Sequence, residues 1–297
     1  MKNNTIVGWL AHGNNNRFIL FDLLEKPQQY TESFVKQAHK LLVKTERDDV
    51  LILMPDHLDK ENNHLYLKMI VLEPDNSVAV FCGNGSRVVA TYLKKQYDHI
   101  YKNFSLVSCY GTHKISYPKK DLYGIQMGTT QYDPFVSKFV KDGSQFVKEQ
   151  NDLWILPYKH NNKTYKLYFT ETVEPHLVCF DPIDDETLTT IGNTLNTKQR
   201  NIFPLGINLN AVKTVSDSSI NVVTYERGIQ HITQSCGTGS TSCVALSNLL
   251  NNITQKKCIV HNKGGTLAIH HDSITKQSEM IGPAKLTETI SFPLIVE

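Results

Sequence analysis

The stretch Phe-Cys-Gly-Asn-Gly-Ser-Arg at residues 81–87 decides the fold of this chain, because Thr-Gln-Ser-Cys-Gly-Thr-Gly at residues 233–239 repeats its pattern. Each stretch follows a predicted strand and turn and precedes a predicted helix. Cys82 and Cys236 are about half of the chain apart. A supersecondary unit that recurs at this interval predicts two similar lobes, each presenting one cysteine at the N-terminus of a helix.

The rest of the sequence fits two lobes of mixed α/β (α+β) structure. Short apolar runs bounded by turn residues predict strands along most of the chain. The apolar spacing predicts helices over residues 34–42, from about Ser86, over 188–195 and from about Ser240.

A change to shorter, more polar strands sets the expected boundary between the lobes. We expect a first lobe over residues 1–128 that contains Cys82, and a second lobe over residues 129–283 that contains Cys236. The C-terminal tail, residues 284–297, is expected to join the first lobe.

Composition excludes several classes of function. The 297 residues are 40% hydrophobic and 20% charged, with a net charge of +2, which gives no broad reason to bind nucleic acid or an anionic membrane. The N-terminal apolar run is too short for a signal sequence, so a reducing cytoplasm is expected. Six cysteines are too few for a disulfide scaffold. Four of them are expected to be buried core side chains without a catalytic role: Cys109, Cys179, Cys243 and Cys258.

A Cys-Gly-x-Gly turn before a helix has a specific chemical use. Two glycines allow positive φ and let backbone N–H groups converge, and the helix N-terminus adds further donors and partial positive charge. Such a cradle suits a carboxylate and favours a thiolate beside it. One such turn could equally be a tight turn with a buried thiol. Two opposed thiols could remove an α-proton from one face of an amino acid and return a proton to the other.

These residues resemble the diaminopimelate epimerase family of cofactor-independent amino-acid racemases, over nearly the whole chain. The two cysteine stretches carry the likeness, with Tyr-Glu-Arg-Gly at residues 225–228 and weaker collinear matches elsewhere. The resemblance implies two pseudo-symmetric lobes, each a curved mixed sheet around a central helix, with the active site in the cleft between them. It also implies an isomerase that uses no cofactor and no metal, and a possible homodimer acting in lysine and peptidoglycan biosynthesis.

The resemblance also implies roles for individual residues. Cys82 and Cys236 would be the acid/base pair. The residues that would donate backbone N–H groups to the substrate carboxylate are Gly83, Asn84, Gly237 and Thr238. Those that would position the substrate are Asn16, His176, Asn208, Glu226 and Arg227, with Arg227 facing a distal carboxylate.

Three acids depart from the family pattern. Glu73 and Glu174 stand where the family has asparagines that help to bind the distal end of diaminopimelate, and Asp49 stands in place of a glutamine. Added carboxylates in a side-chain pocket disfavour a distal carboxylate and favour a cation. We nevertheless weigh an epimerase of LL- and meso-diaminopimelate first, because the chain retains Asn208, Glu226 and Arg227 of the family pattern. The alternatives are a racemase of a basic amino acid such as histidine, lysine, ornithine or arginine, and a catalytically silent amino-acid-binding protein.

Overall fold

The computed structural model describes residues 5–79 and 81–293 and divides them into two compact units. The first unit runs to Gln126 and resumes at Gly282, and the second is Met127–Ile281. Sheet structure dominates both units. No helix in the described ranges is long and apolar enough to cross a membrane.

The helices and strands have the following bounds. The helices are α1 (Glu32–Lys44), α2 (Gly83–Gln96), α3 (Asp185–Thr197) and α4 (Gly237–Leu249), with short 3-10 turns at Pro27–Gln29 and Gln150–Asp152. The strands before α3 are β1 (Thr5–Gly13), β2 (Asn16–Asp22), β3 (Asp49–Asp59), β4 (His64–Leu72), β5 (Val78–Ala79), β6 (Asn103–Ser108), β7 (Gly111–Lys119), β8 (Leu122–Thr129), β9 (Val147–Lys148), β10 (Trp154–His160), β11 (Lys163–Thr172) and β12 (Glu174–Cys179). Those after it are β13 (Asn208–Ser216), β14 (Ser219–Glu226), β15 (His231–Ile232), β16 (Lys257–Asn262), β17 (Gly265–His271), β18 (Gln277–Pro283) and β19 (Lys285–Pro293).

The first unit is a mixed sheet with a helix on each face. Its strands follow the order β19-β1-β2-β3-β4-β6-β7-β8, and the pairs β2–β3 and β4–β6 are parallel. Helix α1 packs its apolar stripe, which includes Phe34, Ala38 and Leu42, into a core with Phe21 and Ile52. Helix α2 packs against β1, β2 and β19.

The second unit repeats this topology. Its strands follow the order β9-β10-β11-β12-β13-β14-β16-β17-β18, and the pairs β12–β13 and β14–β16 are parallel. Helix α4 contacts β11, β12, β13, β14, β16 and β17, so the sheet curves around it. Helix α3 packs on β13 and β14, and Leu188, Ile191 and Leu195 enter its core.

The two cysteine helices are the buried centres of their units. Every residue from Gly83 to Ala90 in α2 is buried, as is every residue from Gly237 to Ser247 in α4. A helix that is buried on all sides is a core element rather than a surface one. The predicted α+β fold with a sheet wrapped around a central helix is therefore confirmed within each unit.

Candidate active site

Both predicted cysteines occupy the same backbone position. Cys82 and Cys236 are the N-cap residues of α2 and α4, with extended backbone at φ −134°, ψ 109° and φ −109°, ψ 114°. Each sulfur accepts the backbone N–H of the third helical residue, from Gly85 at 3.3 Å and from Gly239 at 3.4 Å. An N-cap side chain that accepts a backbone N–H lies in the positive field of the helix terminus, which stabilises a thiolate.

The glycines of these turns have a different purpose from the one that their type predicted. Among the described residues, the glycines with positive φ lie elsewhere, so the prediction of positive φ in the cysteine turns is wrong. Close packing explains the second glycine of each turn. A Cβ on Gly85 would come within 2.8 Å of a Leu51 methyl carbon, and one on Gly239 within 2.6 Å of Asn210 Oδ1.

In the first unit, a buried guanidinium supports the cysteine turn. Arg87 is fully buried and donates to the carbonyl of Gly83 at 3.2 Å, to Asn84 Oδ1 at 2.7 Å and to the carbonyl of Pro283 at 3.4 Å. Burial lowers the pKa of Arg87 to about 10, and attraction to the Cys82 thiolate opposes that shift. Arg87 thus holds the helix start in place and offers positive charge to Cys82.

Asn16 is the first residue of β2 and pairs with Gly13 of β1. Its Oδ1 atom is buried and has no hydrogen-bond partner among the described residues. A buried polar atom without a partner is costly unless a ligand or water satisfies it. This placement supports the substrate-binding role expected of Asn16.

Two of the three added acids lie in the first unit. The Glu73 carboxylate accepts the hydroxyl of Ser77, and its backbone N–H donates to the Ser77 carbonyl at 3.0 Å, so Glu73 closes the turn between β4 and β5. Asp49 is the first residue of β3 and pairs with Phe18 of β2. These contacts tie Glu73 to its own turn.

In the second unit, Cys236 is buried among polar groups. Its sulfur lies 3.3 Å from Thr238 Oγ1. Burial and the nearby Glu226 carboxylate raise the pKa of Cys236 well above its usual value, while the Thr238 hydroxyl and the Gly239 N–H oppose the rise. Cys236 therefore rests as a thiol and needs a base to become a thiolate.

Glu226 is placed to be that base. It ends β14, and its carboxylate accepts the Thr233 hydroxyl and a hydrogen bond from Cys236. Burial raises the pKa of Glu226 to about 7, which those two hydrogen bonds oppose. A carboxyl group with a pKa near 7 can both accept and return a proton near neutral pH.

His176 lies behind Cys236 and is fully buried. Its Nε2 is 3.0 Å from Thr238 Oγ1 and its Nδ1 is 3.1 Å from Asn210 Nδ2. Burial, with a smaller effect of the Arg227 charge, lowers the pKa of His176 to about 3. His176 is therefore a neutral hydrogen-bonding group and not a cation.

Arg227 is paired with the third added acid. Its guanidinium donates to the Glu174 carboxylate and stacks over the Phe139 ring with 5.2 Å from Cζ to the centroid. The side chains of Arg227 and Glu174 are only 19% and 13% exposed. Asn208 accepts the backbone N–H of Arg227 at 3.1 Å and donates to the Pro175 carbonyl at 3.0 Å, which fixes this corner.

The predicted residues occupy matching places in the two units. Asn16 and Glu174 begin β2 and β12, and Asp49 and Asn208 begin their parallel partners β3 and β13. Glu73 directly follows β4, and Glu226 ends β14. In each unit, the predicted site residues therefore lie at the starts of two parallel strands, at the end of a third strand and at the cysteine N-cap.

Sequence reasoning missed four residues that act on the cysteines, namely Arg87, Asn210, Thr224 and Thr233. Arg87 and Thr233 lie within the two cysteine stretches, so their position was the available signal. Asn210 and Thr224 meet the site through strand register, which no local pattern reports.

The burial predicted for the remaining cysteines is partly wrong. Cys179, Cys243 and Cys258 are buried as predicted, but Cys109 is exposed. It lies in the connection between β6 and β7, outside the apolar core.

Comparison with known proteins points to one family of sequences. The family model described as diaminopimelate epimerase matches residues 168–287. The diaminopimelate epimerase of Archaeoglobus fulgidus is 26% identical to this chain, over 87% of this chain and 86% of its own length. That of Bacillus cereus is 26% identical over 93% of both chains.

Solved structures share the fold at lower identity. A hydroxyproline epimerase from Agrobacterium vitis, solved with bound trans-4-OH-L-proline, superimposes with a TM-score of 0.61 at 13% identity, covering 97% of this chain and 91% of that one. A phenazine biosynthesis protein of the PhzF family from Enterococcus faecalis gives a TM-score of 0.63 at 11% identity, covering 98% and 100%.

Proposed function

We propose that this chain, which resembles the diaminopimelate epimerase family, is an amino-acid isomerase that inverts an α-carbon with two thiols and without a cofactor. The observation that carries the proposal is the repeated N-cap: Cys82 and Cys236 each accept a backbone N–H at the start of a buried helix. A racemase needs a base for one face of the carbon and an acid for the other. Two thiols at equivalent backbone positions supply both.

In the proposed reaction, one thiolate takes the α-proton and the opposite thiol gives its proton to the resulting carbanion. The C–H electron pair passes into the substrate carboxylate, so negative charge grows there. The backbone N–H groups of Gly83, Asn84, Gly237 and Thr238 at the helix starts are proposed to bind that charge. The substrate is neither oxidised nor reduced, because one proton leaves the α-carbon and one proton is added to it.

Diaminopimelate is the first candidate substrate, since the curated relatives over most of the chain carry that name. In this reading Arg227 receives the distal carboxylate, and Asn16, His176, Asn208 and Glu226 position the substrate and the thiols. The chain would then serve lysine and peptidoglycan biosynthesis in the cytoplasm. A homodimer is proposed on the resemblance alone and is tested by sedimentation.

A basic amino acid is the second candidate, and the Arg227–Glu174 ion pair favours it. Glu174 already neutralises the cation that would hold a distal carboxylate. A substrate with a cationic side chain could instead share the Glu174 carboxylate with Arg227. Histidine, lysine, ornithine and arginine are the members of this class.

Exchange of the α-proton in deuterated water tests the proposal. Wild-type protein is incubated with diaminopimelate and with each basic amino acid, and deuterium uptake and optical inversion are followed. Exchange with one substrate, lost in both Cys82→Ser and Cys236→Ser, is expected. Cys109→Ser is the matched control, because it removes an exposed thiol outside the site. Exchange that persists in both site variants contradicts the two-thiol mechanism.

A further inference from the structure

A hydrogen-bonded chain runs behind Cys236, and one backbone carbonyl sets its direction. Asn210 Nδ2 lies 3.0 Å from the Leu177 carbonyl, which can only accept. The amide nitrogen of Asn210 must therefore face that side. Its Oδ1 is left to accept the Thr224 hydroxyl at 2.8 Å.

The orientation of this amide determines the tautomer of His176. The second amide hydrogen of Asn210 points to His176 Nδ1 at 3.1 Å, so Nδ1 must be the unprotonated nitrogen. The ring proton is then on Nε2, which donates to Thr238 Oγ1 at 3.0 Å. Having accepted that bond, the Thr238 hydroxyl directs its own proton to Cys236 Sγ, 3.3 Å away.

We propose that Asn210 and Thr224 are positioning residues that hold His176 in its Nε2–H tautomer, so that the Thr238 hydroxyl donates to the sulfur of Cys236. In the opposite tautomer, His176 Nε2 would accept the Thr238 proton, and the sulfur would lose that donor. This inference rests on the proposed function for its purpose. Its geometry stands on the hydrogen bonds alone.

The side chains of this hydrogen-bonded chain are buried and closely packed. His176 and Asn210 are fully buried, and Thr224 and Thr238 are 3% and 6% exposed. A Cβ on Gly239 would lie 2.6 Å from Asn210 Oδ1 and 3.2 Å from both His176 Cε1 and Thr224 Oγ1. The helix can therefore approach these side chains only because residue 239 is glycine.

The electrostatics fit the same role. Burial holds His176 neutral, so its ring keeps one donor nitrogen and one acceptor nitrogen. The hydrogen bond at one nitrogen therefore determines the direction of the hydrogen bond at the other. Glu226 and Glu174 both disfavour the Cys236 thiolate through their charge, and the Thr238 hydroxyl and Gly239 N–H oppose them. Losing the Thr238 donor should therefore raise the pKa of Cys236 by a measurable amount.

The first test is Asn210→Asp. A carboxylate cannot donate to His176 Nδ1, so the ring proton moves to Nδ1 and the Thr238 hydroxyl turns away from Cys236. Iodoacetamide alkylation of each cysteine peptide is followed by mass spectrometry across a range of pH. We expect Cys236 to react about tenfold more slowly below its pKa, which is one pKa unit. Cys82 is the internal reference and should not change.

A second variant covers the case in which Asn210→Asp does not fold. Thr224→Val keeps the shape but removes the donor to Asn210 Oδ1, and a slowing of about threefold at Cys236 is expected for one neutral hydrogen bond. Thr170→Val is the matched control. It removes a buried hydroxyl paired in register with His176 that has no hydrogen-bond partner among the described residues.

Nitrogen-15 NMR of the His176 ring gives a direct readout. The wild-type ring should show the Nε2–H tautomer at neutral pH, and Asn210→Asp should show Nδ1–H. A wild-type ring protonated at Nδ1, or an unchanged Cys236 rate in both variants, overturns the proposal. Neither readout needs turnover. Failure of the proposed function would appear instead as absent α-proton exchange in wild-type protein.

Discussion

Replacing Glu174 with asparagine separates the two candidate substrates most directly. The change removes the carboxylate that accepts the Arg227 guanidinium and introduces the shorter amide that the family pattern has at this position. Arg227 keeps its contact with the Phe139 ring and its backbone bond to Asn208, so its position should survive. The pocket then gains one unit of positive charge.

The magnitude follows from the burial of the pair. At 19% and 13% exposure, the charges lie in a medium where two ions about 4 Å apart attract by about 4 kcal/mol. Desolvation cancels much of such a gain, so we take about 1.4–2.8 kcal/mol as the difference that a distal charge would feel. That corresponds to about 10–100-fold in kcat/KM.

The assay compares kcat/KM for diaminopimelate and for lysine in wild-type protein, Glu174→Asn and Glu174→Asp. We expect the diaminopimelate-to-lysine ratio to rise about 10–100-fold in Glu174→Asn, mainly through KM. Glu174→Asp keeps the charge and should leave the ratio within a few fold of wild type. A ratio that stays constant or falls in Glu174→Asn would show that this ion pair does not control specificity.

Three other perturbations probe the two thiols separately. Arg87→Met should slow alkylation of Cys82 near neutral pH, because a buried cation beside the thiolate is lost, while circular dichroism checks that the helix persists. Glu226→Gln should remove the rise in kcat/KM through about pH 7 that ionisation of this carboxyl produces when Cys236 is the base; a rise that remains would assign it to another group. Cys109→Ser should leave turnover and thermal stability unchanged, and any loss measured by initial rates would place this thiol in the reaction.

The sequence predicted the fold because the informative signals were local. The two cysteine stretches and the apolar spacing of the helices need only neighbouring residues to be recognised. Helices α2 and α4 begin at Gly83 and Gly237, three residues before the predicted starts near Ser86 and Ser240. Because glycine has a low helix propensity, the sequence did not predict the first turn of either helix. The packing of the buried helix stabilises that turn.

The environment of Cys236 could not be predicted in the same way. Asn210 meets His176 because β12 and β13 pair in parallel, with a register that sets His176 opposite Asn208. Thr224 joins them because β14 pairs antiparallel with β13. Register is a property of the whole sheet, and a polar residue inside a strand has no local mark of its partner. The ion pair of Glu174 was missed for the same reason.

The two units share a backbone plan but give their thiols opposite surroundings. Cys82 is half-buried beside the Arg87 cation, whereas Cys236 is buried beside the Glu226 carboxylate. A two-base reaction needs one thiolate and one thiol at the start of each turnover. The cation favours Cys82 as the resting thiolate, and burial favours Cys236 as the resting thiol. In the proposed reaction, the reverse direction requires Cys236 to give its proton to Glu226 and Cys82 to take one from water, so the two directions should depend differently on pH near 7.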